Sequence, residues 1–179
     1  MTTALFGTPQ STFAGFEYLG KATRFAQEIL EVIDHVSLFE EFSNQEFEAL
    51  CDFMVCYTAP RHGVLIREGD FGDFLVILLA GKVNVVKQAN DGSTKFIAAV
   101  GPGASLGEMS LIDGQARFST CIATEPVDFA VLDRKALNDI LVAQPRLGNK
   151  LLLLLLQLMA KRLRESGARL LPHMGSSMV

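Results

Sequence analysis

Residues 106 to 121 read LGEMSLIDGQARFSTC. Two glycines, the acid Glu108 and a single basic residue, Arg117, stand in a stretch that is otherwise mostly apolar or small. Gly107 lets the backbone turn where a Cβ would clash. Glu108 to Leu111 suit one helical turn, whose first N–H groups have no partner inside the turn and suit an anion. Asp113-Gly114 reverses the chain. Arg117 follows, and its planar fork of donors matches a phosphate. The chemistry is that of an anion cradle with a carboxylate beside it. A ligand carrying both a phosphate and a hydroxyl uses both parts. Each residue also has a plainer role open to it. Arg117 can pair with Asp113 on a solvated surface, and Glu108 can stabilise the start of the short helix, where negative charge is favoured.

Outward from this stretch, short apolar runs alternate with glycine turns. The turns are Arg61-His62-Gly63, Glu68-Gly69-Asp70, Ala80-Gly81, Asn90-Asp91-Gly92 and Gly101-Pro102-Gly103. Evenly spaced short strands with such turns predict an antiparallel sandwich or roll. Phe74 to Leu79 is apolar on both faces, which marks a central strand. Val83 and Val85 alternate with polar neighbours, as do Val127, Phe129 and Val131. Asn90 to Ser93 is the clearest hairpin signal.

With these residues in view, the chain resembles the cyclic nucleotide-binding domain family. Gly107, Glu108 and Arg117 match the family's phosphate-binding cassette: Gly-Glu, a few small or apolar residues, a turn, then Arg and two small residues. HGVLIREGDFGDFLVILLAGKVNVV, residues 62–86, resembles the family's first half. VDFAVLDRKALNDILVAQPRL, residues 127–147, resembles its exit strand and first C-terminal helix. The resemblance covers roughly Leu38 to Leu163. It implies that Glu108 accepts the ribose 2′-hydroxyl of cyclic AMP or cyclic GMP, and that Arg117 pairs with the cyclic phosphate. It further implies that N–H groups of the short helix and of the residues after the arginine complete the cradle. The implied ligand set is Leu106, Gly107, Glu108, Met109, Ser110, Arg117, Phe118 and Ser119. One position departs from the pattern. The family has Ser, Thr or Ala directly after the arginine, and here Phe118 stands there. Ser119 matches the second small position. If Arg117 begins a strand, alternation sends Phe118 to the opposite, apolar face and returns Ser119 to the pocket.

The fold expected is mainly β: an antiparallel β-roll (a double-stranded β-helix, jelly-roll-like) with flanking N- and C-terminal α-helices. Residues 1–21 are expected as a loosely ordered tail, 22–55 as N-terminal helices, 56–132 as the roll, 133–167 as C-terminal helices and 168–179 as a second tail. Phe25, Ile29, Val32 and Val36 form one helical stripe. Ser43 with Glu46 three residues on makes a capping box, with Phe47 and Leu50 facing the core. Asp133 suits an N-cap for a helix through Leu141. Pro145 suits the first turn of a last helix, which Gly167 ends. That helix carries Leu147, Leu151, Leu154 and Leu158 on one stripe and Leu152, Leu155 and Met159 on another. A helix apolar nearly all round is buried on more than one side. A second copy of the same helix is the simplest partner, so a homodimer is expected. Lys161, Arg162 and Arg164 at its C-terminal end favour the helix dipole.

Composition narrows the function. With 49% hydrophobic residues the chain can bury a sizeable core, and a net charge of −4 offers no overall surface for nucleic acid. Many bacterial relatives continue into a helix-turn-helix. About twelve residues follow Gly167, too few for that unit, so no direct DNA binding is expected. The N-terminus lacks a secretory pattern, and Leu151 to Leu156 is too short for a membrane span. Cys51, Cys56 and Cys121 form no CxxC and read as reduced thiols of a cytoplasmic protein. His35, His62 and His173 are scattered, so no metal or other cofactor is expected. No nucleophile-elbow pattern appears, so catalysis is not expected. Two readings remain. One is a sensor module that binds a cyclic nucleotide and signals through an effector protein. The other is an interaction scaffold with a degenerate pocket.

Overall fold

The computed structural model describes residues 12–33 and 42–174. The strands are β1 (Glu17–Lys21), β2 (Val55–Ala59), β3 (Val64–Ile66), β4 (Phe74–Ala80) and β5 (Val83–Gln88). They continue as β6 (Thr94–Val100), β7 (Ser105–Leu106), β8 (Thr120–Ala123) and β9 (Val127–Asp133). The helices are α1 (Ala26–Ile33), entered through a 3₁₀ turn at Ala22–Phe25, and α2 (Asn44–Cys51). Then come α3 (Glu108–Asp113), α4 (Arg134–Ala143) and α5 (Pro145–Met174). The strands form two antiparallel sheets, ordered β1-β2-β9-β4-β7 and β3-β8-β5-β6. The antiparallel roll with flanking helices is the fold that the glycine turns imply.

Period-two alternation explains why the middle strands are apolar on both faces. From β4, Phe74, Val76 and Leu78 point into the roll, while Leu75 and Ile77 face the helices. From β9, Val127, Phe129 and Val131 point in, while Ala130 and Leu132 point out. The five-stranded sheet thus separates two cores. The roll interior is closed by Leu65, Val83, Val85 and Ala123 of the other sheet. The outer core is built from Ile29, Phe47, Leu50, Leu137, Ile140, Leu147, Leu151, Leu154 and Leu155. The hairpin at Asn90–Ser93 forms as expected, with the Ala89 N–H donating to the Ser93 carbonyl at 2.8 Å. The capping box is complete: Ser43 Oγ accepts from the Glu46 N–H, and the Glu46 carboxylate accepts from the Ser43 N–H. Asp133 caps α4 by accepting from the Ala136 N–H at 2.7 Å.

Two boundaries are corrected. Within the expected N-terminal tail, Phe13 is buried in the roll and Glu17–Lys21 pairs with β2. Its ring packs on Phe16, Tyr57, Phe74 and Phe129, so aromatic burial orders a segment that composition marks as loose. At the other end, Gly167 does not end the last helix. α5 runs through it to Met174, so the first part of the expected second tail is helical. Helix interiors tolerate one glycine at a cost of about 1 kcal/mol, which a long helix absorbs. Val36 and His35 lie outside the described residues, as do 1–11 and 175–179.

Candidate functional site

All eight residues singled out in the cassette line one cavity of about 440 Å³. Leu106 is buried at the end of β7, and Gly107 follows with φ +84°. That left-handed turn starts α3, and no side chain caps it. Glu108 is 1% exposed and Ser110 is buried, whereas Met109 is exposed at the cavity. Ser119 is half-buried.

Arg117 is 4% exposed. Its Nη1 donates to the Gly107 carbonyl at 2.8 Å and its Nη2 to the Phe74 carbonyl at 2.7 Å. Its guanidinium lies over the Phe74 ring, 4.3 Å from the centroid. Two glycines make room for it. A Cβ at Gly72 would stand 2.7 Å from Nη2, and one at Gly107 would stand 2.4 Å from Nη1. Its own backbone is pinned as well: the Arg117 N–H donates to the Asp70 carbonyl, and the Gly69 N–H donates to the Arg117 carbonyl. Arg117 forms no ion pair among the described residues. The alternative pairing with Asp113 is not made; Asp113 accepts from the Gln115 N–H instead. Burial pulls the Arg117 guanidinium down to about 10, with Cys121, Asp73 and Glu108 opposing it only in part. The group is still charged at neutral pH, so the cavity holds a desolvated cation with no ion pair among the described residues.

Glu108 is the complementary feature. One carboxylate oxygen, Oε1, is ion-paired with Arg162 of α5, and the other, Oε2, is buried without a partner among the described residues. Arg162 also donates from Nη2 to the Ser105 carbonyl. Buried carboxylate oxygens are nearly always satisfied, so an orphan inside a cavity marks a place for a donor. Arg162 is a site residue that sequence reasoning missed. It reads there as one of three cations at a helix end, yet it sits mid-helix because α5 continues to Met174. Lys161, Glu165 and Ser166 line the cavity from the same helix, and Ile97 from β6.

Phe118 is neither packed on an apolar face nor stacked on Arg117. It is 56% exposed at the cavity edge, with Lys87 Nζ 4.2 Å above its ring. The expected alternation fails because β8 begins only at Thr120, so residues 117–119 are loop. The amide N–H groups of Phe118 and Ser119 donate to no group among the described residues, and they stand directly after the guanidinium. Cys121 also lines the cavity; burial pushes its thiol up to about 12, which leaves it un-ionised. Among the described residues no cluster of His, Cys, Asp and Glu is arranged to hold a metal ion.

Comparison with known proteins agrees with this geometry. The model of the cyclic nucleotide-binding domain family matches residues 57–144. A cyclic nucleotide-binding domain from Methylobacillus flagellatus KT, known by crystal structure, is 45% identical. It aligns over 97% of this chain and 96% of its own, with a TM-score of 0.82. A CRP-like cAMP-activated global transcriptional regulator of Mycobacterium tuberculosis is 28% identical over 140 residues, 78% of this chain and 61% of the regulator. The regulatory domain of Toxoplasma gondii PKA, crystallised with cAMP, is 26% identical with a TM-score of 0.58, over 65% of this chain and 44% of its own. The chain belongs to the cyclic nucleotide-binding domain family. It spans about 60% of the length of the curated bacterial relatives it matches.

Proposed function

We propose that this chain is a sensor module that binds a cyclic mononucleotide, cyclic AMP or cyclic GMP, and passes the signal through α5 to an effector protein. The observation that carries this reading is the pairing of two unmet demands in one cavity. Among the described residues, Arg117 is a buried cation with no ion pair, and Glu108 Oε2 is a buried acceptor with no donor. A cyclic phosphate answers the first and a ribose hydroxyl the second. The ligand set is Leu106, Gly107, Glu108, Met109, Ser110, Arg117, Phe118 and Ser119, with Arg162 added. A regulatory role fits what the relatives are, a transcriptional regulator and a kinase regulatory domain, and the module is proposed to carry no reaction of its own. The unit that binds is the roll, 56–132, with β1 joined to it; the N-terminal helices α1 and α2 and the C-terminal helices α4 and α5 serve as input and output.

The homodimer belongs to the same proposal. Leu153 and Leu156 are each 60% exposed and Leu163 is exposed too, and they share one side of α5. A second copy of α5 covers that side. No helix among the described residues is long and apolar enough to cross a membrane. A cytoplasmic location suits three buried, unpaired thiols. Direct DNA binding is not part of the proposal.

Melting purified protein with cyclic AMP, cyclic GMP or 5′-AMP tests the reading. A ligand that binds only the folded state raises the melting temperature by mass action, about 2.7 kcal/mol of stability at a hundredfold excess over Kd. The expected result is a rise with at least one cyclic nucleotide and none with 5′-AMP. The scaffold reading gains from the fact that Arg162 already occupies Glu108, and no shift with either cyclic nucleotide at millimolar concentration establishes it.

A further inference from the structure

Phe118 sits where its ring is poorly placed by hydrophobicity alone. It is 56% exposed, yet it borders a cavity lined by Ile66, Val85, Ile97, Val100 and Leu106. Moving the ring into that cavity removes apolar surface from water, which is favourable. It also fills the space beside Arg117 that a phosphate needs. Something holds the ring out, and the contacts name it. Lys87 of β5 donates from Nζ to the Phe118 carbonyl at 2.7 Å, and the same Nζ lies 4.2 Å from the centre of the Phe118 ring. Lys87 is itself fixed by Glu68, whose Oε1 accepts from Nζ at 2.8 Å. Glu68 is fixed in turn: its Oε2 accepts from the Gln88 N–H at 2.9 Å, and its own N–H donates to Thr120 Oγ1 at 3.0 Å. The turn after β3, the end of β5, the loop at 117–119 and the first residue of β8 are thereby tied at one point.

We propose that Lys87, braced by Glu68, is a positioning residue that compensates for Phe118: it clamps the ring against the outside of the roll and keeps the phosphate space open. An ammonium over an aromatic face attracts the ring, and the carbonyl bond sets the peptide that carries it. The clamp rests on the cyclic-nucleotide reading for its purpose, but not for its existence.

Two measurements on the whole chain test it separately. The first needs no ligand. 4-Fluorophenylalanine placed at 118 gives one fluorine resonance, and Lys87→Met is expected to move or broaden that resonance while Lys87→Arg preserves it. An unchanged resonance in Lys87→Met overturns the clamp, whether or not any nucleotide binds. The second is calorimetric titration with cyclic AMP and cyclic GMP, following whichever binds. Lys87→Met is expected to weaken binding at least tenfold when Phe118 is present, and less than twofold in the Phe118→Ser background, where no ring is left to hold. Lys87→Arg is expected to restore most of the affinity. Equal losses in both backgrounds overturn the proposal, because the lysine then acts on something other than the ring. If the wild type binds neither nucleotide, the function reading fails and the fluorine result alone decides the clamp.

Discussion

Gly107 meets two constraints at once. Its φ of +84° lies where an L side chain is strained by roughly 1–2 kcal/mol. A Cβ there would also stand 2.4 Å from Arg117 Nη1. Gly107→Ala should therefore lower the melting temperature and displace the guanidinium together. Gly72→Ala, which lacks the positive φ, should disturb ligand binding more than stability. Thermal melts beside titrations distinguish the two, and equal effects from both would count against this account. For Arg117 the two properties part company. Arg117→Ala removes the charge proposed to meet the phosphate, so binding should weaken by roughly 2–5 kcal/mol. The unliganded protein should not lose comparable stability, because a desolvated cation without an ion pair is itself unfavourable. A calorimetric affinity unchanged from wild type would remove Arg117 from the site. Gly107, Glu108 and Arg117 were legible because they lie within one short motif whose chemistry is local. Arg162 was not, because 54 residues separate it from Glu108 and only the packing of α5 brings them together.

At the scale of elements, the capping box at α2 ties local sequence to the outer core. Glu46 accepts from the Ser43 N–H and also from Lys150 of α5 at 2.7 Å. The bond to Lys150, then that to Ser43, hold its carboxyl down at about 2. A carboxyl whose folded pKa is depressed contributes stability above its unfolded pKa, and that stability is lost as pH falls through the folded pKa. The advantage of wild type over Glu46→Gln should thus be full at pH 6 and fade between about pH 4.5 and pH 2. Urea melts across that range measure it, and an advantage that persists at pH 2 contradicts the assignment. Ser43→Ala should cost about 1 kcal/mol at neutral pH. The two leucine stripes of α5 illustrate what periodicity does and does not give. It marks the helix as apolar nearly all round, but it does not say which leucines the protomer keeps. Leu155, on the stripe shared with Leu152 and Met159, is 2% exposed within one chain. Leu153 and Leu156 are the ones left outside. Leu153→Glu with Leu156→Glu should give a folded monomer by light scattering, whereas Leu155→Glu should unfold the chain. A monomeric wild type at micromolar concentration defeats the dimer. Strand β1 was hidden for the converse reason: it buries little of itself, so its sequence shows no alternation.

Across the whole molecule, the cassette and α5 are joined through Glu108. Arg162 ion-pairs with one carboxylate oxygen, and the other, which has no partner among the described residues, is the one proposed to accept a ligand hydroxyl. On the proposed function, ligand and helix meet on one carboxylate, with a single covalent group between them. Any change in how firmly one is held is felt by the other, and the coupling is reciprocal. The five-stranded sheet adds a second, stiffer route. Phe74 lies under Arg117 on the roll side, and the next residue, Leu75, enters the outer core with Leu151 and Leu154 of α5. These two routes predict different consequences. If the carboxylate carries the signal, cyclic nucleotide should slow amide exchange in α5 around Arg162 as well as in residues 107–119. Arg162→Met should then abolish the protection of α5 and leave that of the cassette. If the sheet carries it, the protection of α5 should survive the substitution and lie nearer Leu151. The carboxylate route is the one expected, since strands packed on both faces deform little whereas a half-exposed arginine can shift its grip. Hydrogen exchange read by mass spectrometry, with and without ligand, decides between them, and α5 protection retained in Arg162→Met would refute the carboxylate route.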